Sequence, residues 1–184
     1  MDEFLTQLTQ SIPALRRYAY ALVRDSSIAD DLVQDCLERG LSKRSQWKGH
    51  GDLKFWLYKI LSNTHLNHYR ANKTNPLAHS SEVSEKLSMT SQFENPSNQL
   101  DHLYLKDLDR TIALLPEEQK QVLLLITLEG LSYKEVAEII KIPAGTVMSR
   151  LSRARETVRR NMDPSSQNTP SKTQGKTPHI RRIK

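Results

Sequence analysis

Residues 131–160 read "LSYKEVAEIIKIPAGTVMSRLSRARETVRR". Two amphipathic segments flank a short "IPAG" turn. Ser132 and Glu135 have the spacing of a capping box, in which each residue satisfies a backbone amide at the start of the first helix. In the second segment, about 144–161, Val147, Leu151, Ala154 and Val158 recur at intervals of four, three and four, which makes one apolar stripe. Ala137 is small at the point where two crossing helices must approach closely. Arg150, Arg153, Arg155, Arg159 and Arg160 are left on the other side of the stripe. Two short helices joined by a tight turn, the second one basic, describe a helix-turn-helix. A major groove accepts such a helix: arginine reads guanine edges bidentately and backbone phosphates take other cations. Gly145 and Thr146 at the helix start let backbone amides approach a phosphate. A solvated basic face on a structural helix is the plainer alternative. The turn, the capping box and the small residue together favour DNA binding.

Upstream of this motif, "LYLKDLDRTIALL" is amphipathic and stops at Pro116. "PEEQKQVLLLITLEG" then opens with a proline and two acids, which suit the positive end of a helix, and Gly130 is its expected stop. Residues 74–100 are rich in Ser, Thr and Asn with two prolines and read as a linker, with a transient helical turn around 82–90. Further upstream the period is again helical. Residues 12–24 are expected to form a helix opened by Pro13, with Leu15, Ala19 and Leu22 on one face. A second helix is expected over about 27–42, with an apolar stripe of Ile28, Leu32, Cys36, Leu37 and Leu41. Residues 43–52, "KRSQWKGHGD", form a basic loop. A third helix over about 53–72 is rich in aromatics, and Trp56 and Leu57 belong to its core side. From Asp163 the tail is rich in Pro, Ser, Thr and Lys and cannot bury enough surface to fold alone.

The fold class is therefore all-α: two small helical domains, 1–73 and 101–162, joined by a flexible linker at 74–100 and followed by a disordered basic tail at 163–184. The 184-residue chain carries a formal net charge of +6, which favours polyanionic partners. Its single cysteine, Cys36, permits no internal disulfide and suits a reducing cytoplasm. No apolar run approaches the roughly 20 residues needed to span a bilayer, so no membrane insertion is expected. No nucleophile–base pair, phosphate-cradling glycine loop or cluster of metal carboxylates indicates an enzyme, and no cofactor is expected. His65 and His68 stand three apart on a helix, but no third metal ligand accompanies them.

Two blocks together carry a family resemblance. "LPEEQKQVLLLITLEGLSYKEVAEI", with the helix-turn-helix that follows, resembles the sigma4 domain of bacterial extracytoplasmic-function (ECF) sigma factors of the sigma-70 family. "IADDLVQDCLERGL" followed by "FWLYKILSNTHLNHYR" resembles their sigma2 domain. The resemblance covers about residues 10–162. It implies a transcription initiation factor that carries core RNA polymerase to promoters and is responsive to stress or another signal. The partners it implies are the coiled coil of the beta-prime subunit and the beta flap of core polymerase, promoter DNA, and an anti-sigma factor.

By the same resemblance, Asp30, Asp31, Leu32, Gln34 and Asp35 match the polymerase-docking motif. An acidic patch of this kind suits a basic protein partner and would be repelled by DNA. Asn63, His65, Leu66, His68, Tyr69 and Arg70 match the part of the third helix that opens and reads the minus-ten element. Lys43, Arg44, Trp47, Lys48 and His50 match the loop that receives a flipped base, although Trp47 equally suits a cap on the core. Flat rings and cations are what strand capture requires. Gly145, Thr146, Ser149, Arg150, Ser152, Arg153 and Arg155 match the reader of the minus-thirty-five element. Met148, Ser152 and Pro143 depart from residues frequent in the family, which bears on promoter sequence rather than mechanism. A stand-alone helix-turn-helix regulator remains the alternative.

Overall fold

In the computed structural model, residues 2–47, 49, 51–74 and 99–163 are described. The expectations for Lys48, His50, the linker with its turn at 82–90, and the tail beyond Asp163 lie outside them. Among the described residues there are seven α-helices, one short 3-10 turn and no strand.

The first helix, α1 (Glu3–Val23), starts well before Pro13. Asp2 caps it by accepting the Phe4 amide at 3.2 Å, and Phe4, Leu8, Ser11 and Leu15 continue one buried stripe. Pro13 lies inside the helix rather than at its start. Arg24 ends α1 in the left-handed conformation, with φ of 60°. Asp25 then caps α2 (Ser26–Ser42), accepting the Ile28 amide at 3.0 Å.

The apolar stripe of α2 differs from the one expected. Ala29, Leu32, Val33, Cys36 and Gly40 are buried, whereas Ile28 and Leu41 are 51% and 46% exposed. The buried face is the one that α2 turns to α1 and to α3 (Leu53–Thr74), and Gly40 lies on it where α2 comes close to α3. A Cβ on Gly40 would stand only 3.1 Å from Leu57 Cδ2. Leu53, Leu57, Tyr58 and Leu61 of α3 fill the centre of this three-helix layer, and Tyr18 meets Tyr58 edge-on at 5.4 Å. Leu57 is core as expected, and Trp56 is packed against it at partial exposure.

The C-terminal block comprises α4 (Gln99–Ala113), α5 (Glu117–Thr127), α6 (Tyr133–Ile140) and α7 (Ala144–Met162). The capping box at α6 is present in both halves. The Ser132 amide donates to Glu135 Oε2 at 2.7 Å, and the Glu135 amide donates to Ser132 Oγ at 3.3 Å. Lys141, with φ of 55°, makes the turn, and Pro143 precedes α7 without a side-chain cap. Val147, Leu151 and Ala154 are buried, and Val158 packs beside them. The two blocks also touch. α1 packs on α5 and α3 packs on α6, which draws both domains into one body.

Candidate nucleic-acid and partner interfaces

The acidic motif of α2 resolves into an exposed arc and a core residue. Leu32 is 3% exposed and belongs to the core, so it presents no side chain to a partner. Its apolar neighbours on α1 and α3 claim it. Asp30, Asp31 and Gln34 are exposed. Asp30 receives Arg16 in a two-pronged ion pair, Nε at 2.9 Å and Nη2 at 3.0 Å. Gln34 donates to Glu38 at 3.0 Å, and Asp35 lies 3.7 Å from His68 Nε2. Asp31 makes no ion pair among the described residues. The exposed Ile28 and Leu41 complete the arc, so it is both acidic and apolar, which suits a protein partner.

The loop residues are tied back to α1. Trp47 packs on Phe4 with ring centroids 5.5 Å apart, so its ring caps the core. Arg44 reaches Asp2 at 2.6 Å and lies over the Phe4 ring. Lys43 is exposed. On α3 the expected promoter-facing set divides. Asn63 turns back to donate to the Lys59 carbonyl at 2.6 Å. Leu66 is half-buried, while His68, Tyr69 and Arg70 are exposed. His65 is 7% exposed. It does not face solvent, because its Nε2 lies 2.7 Å from Glu117 Oε1 of α5. Tyr69 stands near it, with ring centroids 6.5 Å apart.

On α7, Ser149, Ser152 and Arg153 form one exposed face, with Met148 alongside at 51% exposure. Gly145 has open space around its Cα. Thr146 is half-buried, and its carbonyl accepts the Ser149 hydroxyl at 3.0 Å. Arg150 stands on the flank of this face, 3.4 Å from Glu118. Arg155 stands on the opposite flank. There it lines an apolar groove of about 490 Å³ between α4, α5 and α7, with Tyr104, Leu108 and Val158. The reading face therefore centres on Arg153. Arg155 also borders Met148 and Ser152, in a shallow groove shared with Tyr133 and Glu156.

What the sequence did not reveal is the seam between the blocks. Glu129, in the turn after α5, has a fully covered side chain. It takes Arg17 Nη2 at 3.0 Å and Lys54 Nζ at 3.4 Å, and the Tyr58 hydroxyl donates to it. Glu117 takes His65 and also Lys120 Nζ at 3.2 Å. Lys120 crosses the seam as well, donating to the Leu22 carbonyl at 3.4 Å. Burial alone would raise the Glu117 carboxyl. The hydrogen bond from His65, with the charges of His65 and Lys120, outweighs that and holds it below the usual range. Burial, with the Glu129 carboxylate beside it, pushes the Tyr58 hydroxyl far up. Glu117 and Lys120, three residues apart, look in sequence like an ordinary surface pair, and no local pattern marks them as interdomain residues. No group of three or more potential metal ligands occurs among the described residues.

Comparison with known proteins bears on both blocks. Residues 8–62 match the family model described as the sigma2 domain of PhyR, and residues 105–158 match sigma-70, region 4. The chain is 30% identical to the ECF RNA polymerase sigma factor EcfG of Rhodopseudomonas palustris over 155 residues, covering 84% of this chain and 82% of that protein. It is 32% identical to the ECF RNA polymerase sigma-E factor of Escherichia coli K12 over 140 residues, 73% of each chain. The fold matches the sigma factor RpoE of Bartonella quintana, solved in complex with the anti-sigma factor NepR. That match has a TM-score of 0.69 and 29% identity, and covers 88% of this chain and 98% of that one. A helix-turn-helix carried behind a sigma2-type bundle defines a sigma-70-type initiation factor. Within that class the chain belongs to the ECF RNA polymerase sigma factors, and its function is that of an alternative sigma factor, binding core polymerase and directing it to promoters.

Proposed function

We propose how this chain divides that work among its surfaces. The acidic and apolar arc of α2, centred on Asp31 with Ile28, Gln34, Asp35 and Leu41, docks on the coiled coil of the beta-prime subunit. The exposed end of α3, with His68, Tyr69 and Arg70, engages the minus-ten element, joined by Lys43 in the loop. The Ser149–Ser152–Arg153 face of α7 reads the minus-thirty-five element, with Arg150 on its flank. The beta flap is the partner of the C-terminal domain. The observation that carries this reading is the separation of charge: exposed carboxylates gather on α2, and exposed cations gather on α7 and at the end of α3. DNA attracts the latter and repels the former.

The likeness to a sigma factor solved with NepR supports an anti-sigma factor of that kind as the regulator of this chain. The working compartment is the cytoplasm, where polymerase and promoter are found. The test is a promoter-binding assay with and without core polymerase. Two weak readers act together only when polymerase fixes their separation. The free protein should bind promoter duplex weakly and without sequence preference, and the holoenzyme should bind it specifically. Tight, sequence-specific duplex binding by the free protein would instead support a stand-alone regulator.

A further inference from the structure

The second helix of the helix-turn-helix presents two exposed ridges. Ser149 and Arg153, one turn apart, form the first. Met148, Ser152 and Arg155, at intervals of four and three, form the second, and they line the shallow groove shared with Tyr133 of α6 and Glu156. Met148 is 51% exposed at the head of this second ridge, and Tyr133 is 38% exposed in the same groove. Within α6 and α7 these two are the large apolar side chains left to solvent. The core of the motif does not need Met148, because Val147, Leu151 and Ala154 already fill the buried stripe of α7.

We propose that Met148 is a specificity residue for the upstream element, its thioether side chain packing on the 5-methyl group of a thymine in the major groove. This rests on the assignment of α7 to the minus-thirty-five element.

The chemistry follows from what a major groove offers. Its base edges carry hydrogen-bond donors and acceptors, and the apolar group among them is the thymine methyl. Methionine has no donor and only a weak acceptor, so it gains by covering apolar surface. Its unbranched, polarizable side chain adapts to such a small target. The place of Met148 on the helix also fits. It stands near the start of α7 (Ala144–Met162), and the N-terminal part of a recognition helix is what reaches base edges. Its exposed neighbours Ser149 and Ser152 are short, so the thioether projects beyond them. Arg155 follows seven residues later, about 10 Å along the axis, where a guanidinium meets the phosphate backbone. Glu156, the carboxylate of the groove, is held by Arg159 at 3.1 Å and Arg160 at 3.4 Å, which offsets its repulsion of the strand. The two ridges therefore read two base types: Arg153 takes a guanine edge, and Met148 takes a thymine.

The test uses the full chain bound to core polymerase. Wild-type holoenzyme first selects its upstream element from promoter duplexes randomised there. Each thymine of the selected element, on either strand, is then replaced by deoxyuridine, which removes the 5-methyl group and leaves base pairing intact. Affinities are compared for the wild-type chain, Met148→Ala, Met148→Leu and Arg153→Ala. One deoxyuridine should cost the wild-type holoenzyme about fourfold, the value of one buried methyl-sized group. Met148→Ala should lose about as much on the thymine duplex and then be indifferent to that deoxyuridine. Met148→Leu should keep the discrimination. A selected element with no thymine in its constrained pairs would overturn the proposal. So would insensitivity of the wild-type chain to every deoxyuridine, or a methyl effect that persists undiminished in Met148→Ala. Arg153→Ala separates this proposal from the reading beneath it. If Arg153→Ala weakens upstream binding while no methyl effect depends on Met148, α7 still reads the element and only the thymine contact falls. If Arg153→Ala and Met148→Ala both leave upstream binding unchanged, the assignment of α7 itself falls.

Discussion

Asp31 and Arg153 are the residues whose side chains are most clearly free for a partner among those assigned to docking and to major-groove reading. Asp31 is exposed and makes no ion pair among the described residues, whereas Asp30 is already held by Arg16. Arg153 lies open, whereas Arg150 stands beside Glu118. Arg153→Ala should weaken binding of the holoenzyme to its upstream element by about 1–3 kcal/mol and spare core binding, as read by promoter titration at fixed salt. Equal loss of both activities would contradict the division of surfaces. Cys36 gives a second residue-level expectation. Burial pushes its thiol up to about 12, and it is fully covered. It should resist alkylation in the native chain and react once the chain is unfolded, as mass spectrometry would record. Its role as a small core residue was legible from the helical period. The exposure of Ile28 and Leu41 was not, because which side of α2 is buried depends on its packing against α1 and α3, which the helical period alone does not fix.

Among the helices, legibility followed how local the determinants are. The stripe of α7 and the box at α6 rest on residues within a few positions of each other, and both stand as read. Ser132→Ala should lower stability by about 1 kcal/mol, measured by urea unfolding, because the Glu135 amide loses its acceptor at the helix start. The Glu135 carboxyl is held low by its hydrogen bonds to the Ser132 hydroxyl and backbone amide. A depressed carboxylate contributes stability above its unfolded value and loses it as pH falls through its folded one. The cost of Ser132→Ala should therefore shrink in acid. The start of α1 was misread for a physical reason. Proline is favoured in the first turn of a helix, so Pro13 looked like a beginning. The earlier cap at Asp2 and the stripe from Phe4 to Leu15 carry the helix straight through it. Trp47 was equally compatible with a base pocket and a core cap, and its packing on Phe4 could not be read from the sequence.

At the scale of the whole molecule, the two-block, all-α architecture was visible in the sequence, but the docking of one block on the other was not. Its determinants are pairs such as Arg17 with Glu129, far apart in the chain, and a charged residue in an amphipathic helix does not announce its partner. The seam predicts a pH response. Glu117 is faced by His65 and Tyr18 from the N-terminal block and by Lys120 on its own helix. Because its carboxyl is held low in the folded chain, its contribution is complete above its ordinary value of 4.5. It disappears as pH falls through the lower folded value. Scattering should report expansion in acid before helical content is lost, and Glu117→Gln should blunt that expansion.

The most direct measurement of the sigma-factor mechanism is a fluorescence titration of labelled full-length protein with bacterial core RNA polymerase, alongside Asp31→Lys. Tight binding by the wild-type chain, weakened strongly in Asp31→Lys while helical content is unchanged, is the predicted result. Absence of binding to core, with duplex binding intact, would contradict it and leave a stand-alone helix-turn-helix regulator.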